Sequence, residues 1–189
     1  LTRIVGPKVT LRGFRAGEFD VLWADQVQDL AVRLDVQETQ IGEEFRDRLR
    51  RRVAASGTWT NGELVLAVEA DGGLGGVIQA RTSEDILPPH VFEIGIQILA
   101  GRRDRGLGTE ALWLLTDHLF NEEAAIRVQL STELGNGRMR GAAEAAGYSF
   151  EGVMRSFWPV PDGSALDHAL YAMTRSDHER AKPPWTRTS

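Results

Sequence analysis

The sequence predicts an α+β domain built on a mixed sheet, and three observations point there. The first half holds alternating apolar segments joined by a glycine-rich turn, as in a hairpin. A single strand–helix–strand run follows between residues 91 and 131. Two further alternating segments flank PVPDG and close the fold as a second hairpin. With 189 residues, 42% of them hydrophobic, the chain is sized for one domain with a sizeable core. Residues 1–175 are assigned to that domain and 176–189, with Pro183, Pro184 and Trp185, to a C-terminal tail; no repeat or linker divides the chain.

KVTLRGF at 8–14 alternates and reads as the first strand. Residues 16–30 and 42–55 carry helical periodicity, through Phe19, Leu22, Trp23 and Val27 in the first and Phe45, Leu49 and Val53 in the second. After the Asn61-Gly62 turn, ELVLAVEA and VIQAR form two strands around DGGLGG. VFEIGIQI at 91–98 is the next strand, placing Phe92, Ile94, Ile96 and Ile98 on one face and Glu93, Gly95 and Gln97 on the other. A helix over 109–121 points Leu112, Leu115 and Leu119 inward. A strand at 126–131 and a helix from Asn136 to Ala146 follow, the latter stopped by Gly147.

Composition removes several function classes. A net charge of −5 gives no general attraction to nucleic acid or anionic membrane, so any anion site has to be local. The absence of cysteine excludes disulfides, thiolate nucleophiles and cysteine–zinc sites. His90, His118, His168 and His178 show no metal-motif spacing, so no metal is expected. No apolar run reaches the ~20 residues of a membrane span, and the start does not read as a signal peptide. The expected setting is cytoplasmic. Lys8 and Lys182 are the only lysines among 22 basic residues, a bias of GC-rich bacterial genomes.

GRRDRGLGTE at 101–110 is the informative junction, running from a strand through a basic loop and Gly-x-Gly into a helix. The first N–H groups of a helix have no intrahelical partner, and the helix dipole favours an anion there. Arg103 and Arg105 add positive charge, Gly106 and Gly108 let a ligand approach the backbone, and Thr109 offers a hydroxyl. A solvated turn with surface arginines is the plain alternative. The run Gly106-x-Gly108-x-x-Ala111 also meets the loose dinucleotide fingerprint. Seven residues separate Ile98 from Gly106, however, and only one crossover is present, which is not the doubly wound pattern.

Five segments together resemble the GNAT superfamily of acyl-CoA N-acyltransferases, and within it the Rim-type branch of ribosomal-protein N-terminal acetyltransferases. They are EIGIQI at 93–98, Arg103-x-x-Gly106-x-Gly108, Asn136 opening a helix, AAGYSFEGVMR at 145–155 and SALDHALYAMTR at 164–175. The resemblance covers about residues 8–175. It implies a mostly antiparallel twisted sheet of about seven strands with flanking helices, and acetyl-CoA in a V-shaped opening between strands 91–98 and 126–131. It further implies that the backbone of Ile96, Gln97 and Ile98 bonds the pantetheine arm. The loop Arg103, Asp104, Arg105, Gly106, Leu107, Gly108 and Thr109 would wrap the pyrophosphate, and Asn136 would bond the cofactor near the thiol.

Transfer to an amine needs a deprotonated nucleophile, which matters more for a lysine (pKa ~10.4) than for an α-amine (~8). Glu93, between apolar neighbours, is the candidate base, on the expectation that partial desolvation raises its pKa; pairing with an arginine on a neighbouring strand is the competing reading. The acids usual in the family are missing, since Ala143 and Met139 stand at their positions. Tyr148 and Tyr171, the only phenols, read as packed. By analogy, Phe157, Trp158 and Trp59 line the acceptor pocket, and small Gly141, Ala142 and Ala143 leave room for an acyl group larger than acetyl. In FRDRLRRRV, pairing of Glu44 with Arg48 and Asp47 with Arg51 describes a solvated helix face. Trp185 in its polar tail is a candidate contact for a homodimer. The activity this implies is N-acetyl transfer to a peptide α-amine or a small-molecule amine; the alternative is a GNAT domain that binds acyl-CoA without turnover.

Overall fold

The computed structural model describes residues 1–34, 37, 41–82 and 87–186. Among them the chain order is β1 (Ile4–Val5), β2 (Thr10–Arg12), α1 (Glu18–Leu34), α2 (Glu43–Ala54), β3 (Trp59–Thr60), β4 (Glu63–Ala70), β5 (Gly73–Arg81) and β6 (Val91–Ile98). The second half continues with α3 (Leu107–Glu122), β7 (Arg127–Glu133), α4 (Gly137–Ala145), β8 (Ser149–Pro159), β9 (Ala165–Thr174) and α5 (Arg175–Arg180). The strands make one nine-stranded sheet in the order β1-β2-β4-β5-β6-β7-β9-β8, with β3 beside β4. Every pair is antiparallel except β6–β7. The mixed α+β sheet is therefore as expected, with two strands beyond the seven.

Apolar residues run almost continuously along β4 because helices cover both faces of the sheet there. Leu64, Leu66 and Val68 of β4 join Ile78, Phe92 and Ile94 under α3, whose Leu112, Leu115 and Leu119 are fully buried. Val65 and Ala67 point the other way, to Leu22 of α1 and Leu49 and Val53 of α2. β5 begins at Gly73, inside the stretch read as a turn, and the turn itself contracts to Asp71 and Gly72. Gly76 is required there, since an added Cβ would lie 2.3 Å from the Gln97 carbonyl oxygen. α4 ends as its sequence predicts. Gly147 has φ 96°, and the Gly147 and Tyr148 N–H groups donate to Glu144 and Ala143 carbonyls at 2.9 and 3.0 Å.

Two polar clamps fix the N-terminal segment. Glu110 of α3 is 5% exposed, and its Oε1 accepts the Lys8 and Val9 N–H groups at 2.7 and 2.8 Å. Arg12, also buried, donates from both terminal nitrogens to Glu18 at 2.6 and 2.8 Å and from Nε to Glu69 at 2.5 Å. The Arg15 N–H adds a bond to Glu18 at 2.7 Å, so the start of α1 is tied to the sheet. Burial pushes the Glu18 carboxyl up, but the Arg12 bonds, the Arg15 N–H and the two positive charges outweigh it and hold it below the usual carboxylate range. A depressed folded pKa contributes stability above the unfolded value of ~4.3, lost as pH falls through the folded one. Melting temperature is therefore expected to fall on acidification below about pH 4.3, and Glu18→Gln to melt lower at neutral pH with a shallower acid slope. Equal slopes in parallel calorimetric series would refute it.

On α2 the charges pair one residue closer than expected, Glu43 with Arg46 at 3.9 Å and Asp47 with Arg50 at 3.4 Å. Arg52 instead reaches Glu63 on β4 at 2.8 Å. Beyond residue 174, α5 starts in a capping box of Thr174 and Asp177. Its His178 stacks on Phe120 at 4.7 Å and bonds Asp117 at 2.9 Å. Trp185, 40% exposed, sits in a following 3-10 turn beside α3, while residues 187–189 of the tail lie outside the described residues. No described helix is long and apolar enough to cross a membrane, and no described group of three or more His, Asp or Glu side chains could hold a metal ion.

Candidate active site

The single parallel pair creates the site. β6 and β7 bond for only three residues, Val91–Glu93 against Arg127–Gln129. β6 remains paired with β5 up to Ile98, and β7 with β9 up to Glu133. Past Glu93 the two strands therefore diverge, leaving a notch through the sheet with backbone edges on both sides. The Leu99 N–H donates to the Gly75 carbonyl at 2.9 Å. By the two-residue alternation of a strand, the backbone groups of Ile96 and Ile98 then face into the notch and those of Gln97 face β5. The Ile98 carbonyl is already taken by Arg103 Nε at 3.0 Å.

The mouth of the notch is the start of α3. Gly106 is its N-cap at φ 77°, a left-handed conformation that favours glycine, and Asp104 precedes it at φ 62°. No side chain caps this helix, so the N–H groups of Leu107, Gly108 and Thr109 are left for a ligand. Gly108 is different from Gly106. A Cβ there would stand 3.6 Å from Ile98 Cγ1, an ordinary contact, so nothing in the protein itself requires glycine. The arginines around the mouth are engaged by acids. Arg102 and Arg105 each lie 3.4 Å from Asp71, Arg103 lies 3.1 Å from Asp29, and Arg138 lies 3.2 Å from Asp104. Across the mouth Asn136 caps α4, its Oδ1 accepting the Met139 N–H at 3.1 Å, which leaves its amide hydrogens to donate elsewhere.

On the α1/α2 side, Glu93 pairs with Arg81, its register partner on β5, through a very short bond, and its side chain is 33% exposed. Of the two sequence readings for Glu93, the arginine pairing is present. A cavity of about 280 Å³ opens on this face between Arg51, Arg52, Asn61 and Glu63, and the Glu63–Arg81–Glu93 register sets it two strands from Glu93. Neither phenol is free to act as an acid. Tyr148 is buried, its pKa raised by burial despite a bond with Thr116. The Tyr171 hydroxyl donates to Glu144 at 2.8 Å and accepts from Arg140 at 3.2 Å.

Phe157 and Trp158 are consecutive residues, yet both rings meet His168, at 5.0 and 6.0 Å. A register shift between Met154 and Trp158, with Ser156 at φ 49° and its N–H held by Asp167 at 2.8 Å, turns both to one face. They are 47% and 48% exposed, and His168 pairs in register with Glu133 at the open end of β7. One expectation fails. Trp59 packs on Phe92 and donates to Glu123 at 2.7 Å, partly buried against the core rather than lining the acceptor pocket. Of the three small residues of α4, Ala143 is fully buried against the core, Ala142 is partly buried and Gly141 is exposed, with nothing within 4 Å of an added Cβ. The Asp29, Asp71 and Asp104 partners of the arginines were missed, having no periodic signal in the sequence.

A helix start stripped of caps, beside a sheet edge left open, is the arrangement that a CoA-dependent acyltransferase needs for an extended phosphate-bearing cofactor. The Acetyltransferase (GNAT) domain family matches residues 8–149, and the chain belongs to that family of acetyl-CoA-dependent N-acetyltransferases. Among solved structures, a GCN5-related N-acetyltransferase from Brucella melitensis is 26% identical at TM-score 0.71, over 93% of this chain and 80% of that one. Mycobacterium smegmatis RimJ in complex with CoA-disulfide is 20% identical at TM-score 0.70, over 97% and 90%. RimL, a ribosomal L7/L12 α-N-protein acetyltransferase in complex with coenzyme A, is 15% identical at TM-score 0.72, over 92% and 98%. Among curated proteins no sequence matches the chain.

Proposed function

We propose that the chain moves an acetyl group from acetyl-CoA to a primary amine within the β6–β7 notch. The observation that carries this is the uncapped α3 N-terminus at Leu107–Thr109 adjoining the open backbone of Ile96 and Ile98. The pyrophosphate lies on the α3 N–H groups with Arg105 nearby, the pantetheine arm bonds the backbone of β6, and Asn136 donates from across the mouth. The neutral amine nitrogen attacks the thioester carbon, and the tetrahedral intermediate collapses with loss of the C–S bond and of one proton from nitrogen. CoA departs as a thiolate (thiol pKa ~8.5), which takes up that proton through water and needs little help from a protein acid. Alignment in the notch and backbone donors to the oxyanion supply most of the acceleration.

Glu93 takes the ammonium proton in this reading, after exchanging its bond to Arg81 for one to the acceptor. Phe157 and Trp158 make the apolar wall of the acceptor side, with His168 behind them. The acceptor is the α-amine of a protein or peptide, on the Rim-type resemblance, or a small-molecule amine. The ion-paired Glu93 and two engaged phenols favour a second reading, a domain that holds acyl-CoA without turnover. A thermal-shift titration with acetyl-CoA, succinyl-CoA, CoA and NAD⁺ separates the classes. Acetyl-CoA at about 100 Kd adds ~2.7 kcal/mol, several degrees of melting temperature; a response to NAD⁺ alone would refute the reading. With an acceptor in hand, Glu93→Gln is expected to keep acetyl-CoA affinity and lose about 10²-fold or more in turnover. Unchanged turnover removes Glu93 as base, and no turnover with any amine in wild type supports the binding domain.

A further inference from the structure

Two carboxylates on α1 hold the cofactor loop. Asp25 and Asp29 are four residues apart and share one helix face with Leu22, which anchors α1 against the sheet. Asp25 Oδ1 accepts the Ala100 N–H at 2.7 Å, and its Oδ2 lies 3.4 Å from Gln97 Nε2. Asp29 Oδ1 accepts from an Arg103 terminal nitrogen at 3.1 Å, while Arg103 Nε donates to the Ile98 carbonyl at 3.0 Å. Three contacts thus join the end of β6 and the 3-10 turn Ala100–Arg102 to a helix that is itself tied down by the Arg12–Glu18–Glu69 clamp.

We propose that Asp25 and Asp29 are positioning residues for acyl-CoA, and that Arg103 acts on the cofactor through them, by fixing the loop, rather than as a point charge on the pyrophosphate. The guanidinium spends its geometry on Ile98 and Asp29, a pairing that its planar fork makes and a lysine ammonium does not. Because α1 lies on the face carrying Glu93, the same contacts couple the cofactor loop to the acceptor side. This inference rests on the acyl-CoA reading above.

The sign of the effect makes the test sharp. Coulomb's law alone says that deleting an acid near a bound polyanion tightens binding, whereas a positioning role says that it weakens it. Calorimetric titration of acetyl-CoA into wild type, Asp25→Ala, Asp25→Asn, Asp29→Ala, Asp29→Asn, Arg103→Ala and Arg103→Lys decides, with melting curves certifying that each variant is folded. Both alanine variants are expected to bind about tenfold more weakly. Both asparagine variants, which keep an oxygen acceptor without the charge, are expected to bind within about twofold of wild type. Arg103→Lys is expected to bind as weakly as Arg103→Ala. Unchanged or tighter binding by the aspartate-to-alanine variants overturns the inference, as does full retention of affinity by Arg103→Lys. Failure of wild type to bind any acyl-CoA instead overturns the proposed function and takes this inference with it.

Discussion

Gly108→Ala gives a protein that melts higher and binds acetyl-CoA more weakly. Position 108 is in the first turn of α3, where alanine restricts the unfolded chain more than glycine does and contributes about 0.5 kcal/mol to folding. The new Cβ meets Ile98 Cγ1 at 3.6 Å, so it introduces no clash. For a chain of this size the gain is about 1–2 °C. On the proposed function, the methyl group also stands at the helix start where the pyrophosphate approaches the N–H groups of Leu107 to Thr109, and affinity is expected to fall by tenfold or more, ~1.4 kcal/mol per factor of ten. A melting curve without ligand and a titration with acetyl-CoA read the two signs separately. A lower melting temperature would mean that Gly108 serves the fold, and unchanged affinity would take the phosphate away from α3.

Glu110→Ala has the largest effect on stability. Removing the side chain leaves the buried Val9 N–H and the part-buried Lys8 N–H without their acceptor. Each orphaned donor costs about 1–3 kcal/mol, so a loss of about 3 kcal/mol and roughly 6–12 °C is expected. Glu110→Gln keeps an oxygen that accepts both bonds, and most of the loss is restored. Gly6 confirms how closely the segment is fitted, since an added Cβ would lie 2.6 Å from Glu110 Oε1 and 2.8 Å from Leu114 Cδ1. A drop of less than about 1 kcal/mol on calorimetry would mean that the N-terminal strands contribute little to the fold.

The strands at 63–70 and 91–98 were legible to the residue, the first because cover on both faces imposes a nearly continuous apolar run, the second because one face is apolar and the other carries Glu93, Gly95 and Gln97. β1 and β3 were not, since two residues cannot display a period. The first half of β5 was hidden because Gly73, Gly75 and Gly76 mimic a turn, although β6 passes too close to Gly76 for any side chain. At the candidate site, Gly106 and Asn136 were readable because each answers a local need of a helix terminus, and Gly108 was readable only as part of the Gly-x-Gly run. Arg81 as the partner of Glu93, and Asp29 as the partner of Arg103, depend on strand register and helix placement across 12 and 74 residues of chain. Charge identity alone does not specify such pairs, and the pocket-lining role of Trp59 failed for the same reason.

The short β6–β7 ladder also bears on how the sheet keeps open backbone without offering it to other strands. Unpaired strand edges are templates on which other chains add, the usual route to edge-to-edge aggregation. Here the edges at Ile96 and Ile98 and along the end of β7 face one another inside the sheet, joined at one end by three rungs. To intrude, a polypeptide strand needs roughly 9.6 Å between its neighbours, twice the ordinary interstrand spacing. A gap that tapers to a bonded pair is narrower than that over its inner part, so a foreign β-strand finds no register along it. On the acyl-CoA reading proposed above, a slender amide-bearing arm enters where a strand does not. On that reading the taper acts as a sieve, admitting a thin ligand to the backbone while refusing a misfolded neighbour.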